Sequence, residues 1–269
     1  MQLALAQLRI EERATEENRQ RALEAIEDAA SRGADLVALP EIFTVGYFAF
    51  DSYARSAEPL DGPTISGIQA AAADHGIAVL AGTIVEDLAA SAERGFETPA
   101  DDGFANAAVF VDGRGERRGV YRKRHLFGYD SAEQQLLEPG ETPCTVEYGG
   151  FTVGITTCYD LRFPKLYRRL VDAGVDLVLV PSAWPYPRVE HWRVLSRARA
   201  IENLLYVATI NGVGEFEDGT LLGRSTVYDP WGTAVAGIGE QAGLVTARID
   251  PETVASYREE FPALDDRRL

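Results

Sequence analysis

Lysine, cysteine and long apolar runs are scarce in this chain, and each scarcity excludes something. Of the 26 basic residues only Lys123 and Lys165 are lysines, set against 42 acidic residues for a net charge of −16. A phosphate backbone is bound by clustered Lys and Arg, so nucleic acid is not expected as a partner. The two cysteines, Cys144 and Cys158, lie 14 residues apart, with no Cys-x-x-Cys pair and no histidine at zinc-finger spacing. Neither a disulfide framework nor structural zinc is expected, and a reduced, cytoplasmic setting fits this usage. No apolar run approaches the roughly 18 residues of a membrane span. The opening MQLALAQLRI has no basic n-region and meets charge at Arg9, so neither insertion nor export is expected.

What is present is material for a core. The chain has 269 residues, 46% of them hydrophobic, enough for one large α/β domain over 1–269 without staples. Residues 3–8 read as a strand, Glu16 to Arg32 as an amphipathic helix ended by Gly33, and 35–39 (DLVAL) as a buried strand running into Pro40-Glu41. The cycle repeats with a helix near 63–75, a strand at 77–84, and strands at 105–111 and 117–122 around the turn signal DGRG. The acidic, Gly/Pro-punctuated stretch 87–103 reads as an exposed loop. Then come strand 150–157, helix 163–173, strand 176–180, helix 190–203, strand 205–210 and a β-rich section from 222 to 249. Alternating helices and strands with hairpins mixed in predict an α/β fold with a mixed sheet.

Short apolar strands that stop in a polar residue are where α/β proteins place their chemistry. LVALPEIF delivers Glu41, GVYRKRHLF delivers Lys123, and VGITTCYD delivers Cys158. Each alone has a plain reading: a helix N-terminal charge, a solvated cation, a small hydrophobe. Together they make a nucleophile set. A thiol attacks a carbonyl as thiolate, Glu41 can take its proton, and Lys123 can supply positive potential beside the thiol and the oxyanion. A Cys-His pair is the weaker alternative, because none of His75, His125 and His191 follows a strand end.

The set ALPEIF with Gly-Tyr after it, then YRKRHLF, then GITTCYDLRFP resembles the carbon-nitrogen hydrolase family, also called the nitrilase superfamily. PSAWP, HWRVLSRARAIEN, GRSTVYDPWG and the terminal FPALDDRR extend the likeness over nearly the whole chain. The resemblance implies a four-layer α-β-β-α sandwich and a Glu-Lys-Cys triad at Glu41, Lys123 and Cys158. It implies a second glutamate at Glu133, with Glu138 as competitor and surface charge as its rival reading. It also implies an oxyanion donor in the backbone N–H of Tyr159, no cofactor and no metal.

The family acts on nitriles, aliphatic amides, N-carbamoyl amino acids and glutamine, so membership does not fix the substrate. The CYDLRFP form, where nitrilases carry Trp-Glu after the cysteine, resembles the branch of omega-amidases and deaminated glutathione amidases. That branch implies a small aliphatic amide with a remote carboxylate. Arg162 is then a candidate carboxylate clamp, with a buried ion pair to Asp160 or a nearby acid as the alternative. Trp184, Tyr47 and Phe48 are candidate pocket walls, with plain packing as the alternative. Gly128 stands where relatives have Asp, and Lys165 where many have Glu. An acyltransferase and a catalytically silent binding protein are the rival classes. A homodimer or larger assembly is expected, with Leu166, Tyr167 and Leu170 on the helix that carries the contact.

The excess of acid and near absence of lysine match surfaces adapted to strong salt. Carboxylate repulsion acts over a Debye length of about 10 Å at 0.1 M salt and about 3 Å at 1 M. The melting temperature should therefore rise between about 0.1 and about 3 M KCl, the range over which this screening is completed. A flat or falling curve would assign the arginine richness to codon usage instead.

Overall fold

The computed structural model describes residues 1–128 and 131–268. Its short apolar runs become strands whose successive residues face opposite ways, and this alternation builds the layers. In β1 (Gln2–Gln7), Leu3 and Leu5 join one buried cluster while Ala4 and Ala6 join another. After α1 (Thr15–Ser31), β2 (Leu36–Ala38) divides in the same way, with Leu36 and Ala38 on one side and Val37 on the other.

The first half continues through α2 (Tyr53–Ser56), α3 (Pro63–His75), β3 (Ala78–Leu80), β4 (Ile84–Asp87), α4 (Leu88–Glu93), β5 (Phe104–Val111), β6 (Arg117–Arg122) and α5 (Ala132–Leu136). The second half holds β7 (Cys144–Tyr148), β8 (Phe151–Ile155), α6 (Pro164–Asp172), β9 (Leu177–Ser182), α7 (Val189–Asn203) and β10 (Tyr206–Asn211). It ends with the hairpin β11 (Val213–Phe216) and β12 (Gly219–Leu222), then β13 (Thr226–Tyr228), β14 (Ala234–Gly237), β15 (Gly243–Arg248) and α8 (Pro251–Glu260).

Two mixed sheets result, in the orders β15-β1-β2-β3-β5-β4, with β6 on β5, and β14-β13-β10-β9-β8-β7. In each sheet the central strands β1-β2-β3 and β8-β9-β10 pair parallel. Leu3, Leu5 and Leu36 meet Ile155, Leu177, Leu179 and Ile210 between the sheets. Each such fully buried side chain contributes about 1.5–3 kcal/mol of transfer free energy. On the outer face of the first sheet pack Ile26 of α1 and Ile68 of α3. On that of the second pack Leu166 and Leu170 of α6 and Trp192 of α7. The architecture is a four-layer α-β-β-α sandwich.

Several boundaries differ from the sequence reading. The run 77–84 is two strands, because Gly82 turns at φ +48 with its Cα so near Pro40 that a Cβ would lie 2.0 Å from the Pro40 carbonyl oxygen. The stretch 87–103 is not all exposed loop: Asp87 caps α4 by accepting the Ala90 N–H at 2.9 Å, and Leu88 and Ser91 are buried. The strand read at 150–157 is β8, hairpinned onto the unforeseen β7 through Gly149 and Gly150, both at positive φ. α8 was missed as well, although Asp250 accepting from Glu252 N–H and Pro251 at the first helical position mark its start.

The apolar residues of α6 are spent inside the molecule. Leu166, Tyr167 and Leu170 are buried among Val178, Val180 and Leu205, so this face does not supply the intermolecular contact assigned to it from sequence.

Candidate active site

The parallel strands of the two sheets end near one another, and the ends are tied. The Glu41 N–H donates to the Ser182 carbonyl at the end of β9 (3.3 Å), and the Ala183 N–H donates to Glu41 Oε2 (2.8 Å). β6 delivers Lys123, whose backbone N–H is held by the Asn106 carbonyl of β5 at 2.8 Å. β8 delivers Cys158, which opens a five-residue 3₁₀ helix, Cys158–Arg162, rather than an α-helix. Cys158 is in the left-handed region at φ +44, sparsely populated by residues other than glycine and characteristic of side chains held at functional sites.

Asp160 holds that turn in place. Its buried carboxylate accepts from Thr157 N–H (2.9 Å), Tyr121 hydroxyl (2.6 Å) and His125 N–H (3.1 Å), and His125 Nδ1 lies 2.7 Å away. The His125 ring stacks on Phe163 with centroids 3.7 Å apart. One side chain thus staples the Lys123 segment to the Cys158 segment. Sequence reasoning considered Asp160 only as a partner for Arg162, a pair the structure does not contain. The Thr-x-x-Asp spacing of TCYD, a capping-box signature, was the signal available.

Glu41, Lys123 and Glu133 form one buried cluster, each at most 1% exposed. Lys123 Nζ donates to Glu41 Oε1 at 2.9 Å and to Glu133 Oε1 and Oε2 at 2.7 and 3.0 Å. The remaining carboxylate positions are also satisfied. Asn106 Nδ2 donates to Glu41 Oε1 (2.9 Å) and Glu133 Oε1 (3.3 Å), and Tyr47 hydroxyl (3.0 Å) and Phe127 N–H (2.8 Å) donate to Glu133 Oε2. Asn106 was missed because a polar residue inside the strand FANAAVFV gives no sign of its partners. Glu138 is exposed, at the other end of the short segment from Glu133.

Electrostatics follow from burial. Desolvation penalises the Lys123 ammonium, but Glu133 and Glu41 outweigh it, so its pKa is raised well above the ordinary value and it stays charged. Glu41 is raised by burial against the opposing pull of Lys123, which makes it a stronger base than a solvated glutamate. The Cys158 thiol, within hydrogen-bonding reach of Glu41, is raised well above 9.0, by burial first and by Glu41 second. With two carboxylates around one ammonium, the cluster does not supply the net positive potential read from sequence. Burial and the Glu41 carboxylate both disfavour the Cys158 thiolate, and Glu41 is the carboxylate placed to accept the thiol proton.

Cys158 opens into a cavity of about 210 Å³ lined by Tyr47, Phe48, Lys123, Tyr159, Arg162 and Trp184, among others. No acceptor among the described residues takes the Tyr159 N–H, which leaves it available to an oxyanion. The Arg162 guanidinium lies 5.2 Å from the Trp184 ring and 5.7 Å from the Tyr159 ring, with Nη2 3.1 Å from His191 Nδ1. No carboxylate of the described residues pairs with it. Cys144 sits elsewhere, buried on β7, its pKa pushed by burial to about 11. Lys165 and Gly128 are exposed. No cluster of three or more His, Cys, Asp or Glu that could hold a metal occurs among the described residues, and none of their helices is long and apolar enough to cross a membrane.

Residues 2–259 match the model of the carbon-nitrogen hydrolase family. The chain belongs to that family. It is 34% identical over 239 residues to a 2-oxoglutaramate amidase of Paenarthrobacter nicotinovorans, covering 87% of this chain and 79% of that protein. Its fold superposes on Saccharomyces cerevisiae Nit3, a member of branch 10 of the nitrilase superfamily, with a TM-score of 0.88, 29% identity, and 100% and 97% of the two chains covered. It also matches a mutant of the amidase from Nesterenkonia sp. AN1 in which acrylamide has undergone Michael addition at the active-site cysteine. There the TM-score is 0.80, with 29% identity and 98% of each chain covered. This carbon-nitrogen hydrolase thus carries its Glu-Lys-Cys set on the fold its relatives share.

The raised Cys158 pKa has a direct readout. Alkylation of Cys158 by iodoacetamide, followed by peptide mass, should be slow at neutral pH and climb with a midpoint above 9.0. A midpoint below that value would show that the lysine, not burial, governs the thiol.

Proposed function

We propose that this carbon-nitrogen hydrolase converts a small aliphatic amide carrying a remote carboxylate into the acid and ammonia, with Cys158 as nucleophile. The observation that carries the reading is the Cys158 thiol at the floor of the cavity, beside a Glu41 carboxylate fixed by Lys123, Asn106 and the Ala183 N–H. In the proposed reaction Cys158 Sγ bonds to the amide carbon as Glu41 takes the thiol proton. The oxyanion is met by the Tyr159 N–H and the charge of Lys123. Glu41 then gives its proton to the departing nitrogen, the C–N bond breaks, and ammonia leaves a thioester. Glu41 next accepts a proton from water, whose oxygen attacks the thioester, and the thiol reforms as the acid is released. Glu133 positions Lys123 and does not exchange the proton.

Arg162 is proposed to bind the remote carboxylate, a role supported by its place in the cavity and its lack of an acidic partner among the described residues. Tyr47 and Trp184 are proposed walls. Kinship with a 2-oxoglutaramate amidase supports an ω-amide over an N-carbamoyl compound or a nitrile. A cytoplasmic enzyme of at least two identical chains completes the reading, with the contact lying outside the buried face of α6.

Ammonia release from ω-amides, N-carbamoyl amino acids and nitriles tests the substrate class, and ω-amides should lead. Cys158→Ala should abolish turnover while Cys144→Ala keeps it, and an acyl adduct should appear on Cys158 by mass. Lys123→Arg should lose at least about two orders of magnitude in kcat, because a planar fork cannot replace a compact ammonium between two carboxylates. Glu133→Gln should be strongly impaired and Glu138→Gln should not. The reverse ranking of the two glutamates would move the positioning role to Glu138.

A further inference from the structure

Arg162 is not the only guanidinium in the cavity. Arg188 lines it too, from the loop between β9 and α7, half-buried with its guanidinium 5.5 Å from the Phe127 ring. Phe127 meets Tyr159 edge to face at 5.1 Å, and Tyr159 is the ring beside which Arg162 lies. Two cations therefore flank one pair of touching rings above Cys158.

The launch point of Arg188 is fixed. Its N–H donates to the Pro185 carbonyl (3.2 Å), and its carbonyl accepts from Trp184 Nε1 (3.0 Å) and from the Trp192 N–H (3.1 Å). The side chain has no carboxylate partner among the described residues, in a chain with 42 acids to offer. A half-buried cation loses hydration without recovering it unless a counter-charge arrives. Among the described residues of the rim the remaining charge is Asp218, exposed at the turn of the β11–β12 hairpin, which packs on Phe48 through Phe216 with ring centroids 5.5 Å apart. Two guanidiniums and one carboxylate give the described residues of the rim a formal charge of +1, complementary to a monoanion.

We propose that Arg188 is a second carboxylate-binding residue which, together with Arg162, makes this site select ω-amides bearing a single free carboxylate over neutral amides. The inference rests on the amidase reading above and adds the residue that sets its specificity. A fork-shaped guanidinium on each side can hold one carboxylate through both oxygens, which a lone Arg162 could do from only one side. Asp218 opposes this binding, so its removal should act in the reverse sense.

The test compares succinamate with butyramide, which have the same chain length and differ in the carboxylate. In Arg188→Gln the preference for succinamate over butyramide in kcat/KM should fall roughly ten- to hundred-fold, carried by KM rather than kcat. Arg188→Lys should recover part of it, and Asp218→Asn should lower KM for succinamate. A preference within two-fold of wild type in Arg188→Gln, or a loss carried wholly by kcat, overturns the proposal. If the wild-type protein turns over neither amide, the amidase reading fails, and binding decides Arg188 separately. Calorimetry of succinamate on Cys158→Ala protein should then show at least about ten-fold weaker binding when Arg188→Gln is added, and equal affinity would overturn the assignment.

Discussion

Everything at this site depends on one buried ammonium between two buried carboxylates. Taking three charges out of water costs several kcal/mol per ion, and the arrangement is tolerable only if the leftover lone pairs find donors. Asn106, Tyr47, Phe127 and Ala183 supply them, and these four residues come from β5, from the loop after β2, from the segment after β6, and from the end of β9. Satisfying the cluster therefore requires both sheets to close on each other in register. The same bonds that make the charges affordable also fix Glu41 relative to Cys158, so packing and the geometry of the site are one constraint.

A second constraint ties the nucleophile to that cluster without touching it. Asp160 binds Thr157, Tyr121 and His125, which bracket Cys158 on one strand end and Lys123 on another. The left-handed backbone at Cys158 persists because this carboxylate, two residues on, holds the N–H of Thr157, the residue before it. A loosened Asp160 would let the thiol drift from Glu41 even though every member of the Glu-Lys-Cys set was still present.

How much of this was legible in the sequence follows from where each signal resides. Glu41 and Cys158 were readable because each follows a buried apolar strand, where a polar residue stands out against its neighbours; Lys123, between Arg122 and Arg124 after the arginine-rich β6, stood out as one of two lysines in the chain. The strands LALAQL, DLVAL and DLVLV were readable because they are short and apolar enough to be buried on both faces, but that pattern alone read as one mixed sheet, and only the family resemblance implied two. Asn106 was not readable, since its importance lies in contacts 65 and 27 residues away along the chain. Arg188 stayed hidden among many arginines for the same reason. β7, α4 and α8 were missed where local polarity masked half-buried faces, although Asp87 and Asp250 advertised their caps. Assigning the intermolecular contact to the apolar stripe of α6 went astray differently. Its apolar stripe was recognised correctly, but periodicity does not say whether a stripe faces the helix's own sheet or another molecule.

The chain's preference for arginine makes the retained lysine informative. Lys123 Nζ has three hydrogens and three acceptors within 3.0 Å, all of them oxygens of Glu41 and Glu133. In this resting arrangement none is left over for a substrate oxygen. In the proposed reaction Lys123 would act on the oxyanion through its charge, or by sharing a hydrogen it already gives to Glu133, while the unengaged Tyr159 N–H would make the direct bond. A guanidinium would need planar space that the two carboxylates and Asn106 do not leave, and it would spread its charge away from the thiol. In the proposed reaction the division of labour is set by donor count: the lysine orders the two glutamates, Glu41 so ordered would handle the proton, and the backbone N–H next to the cysteine would receive the charge that develops.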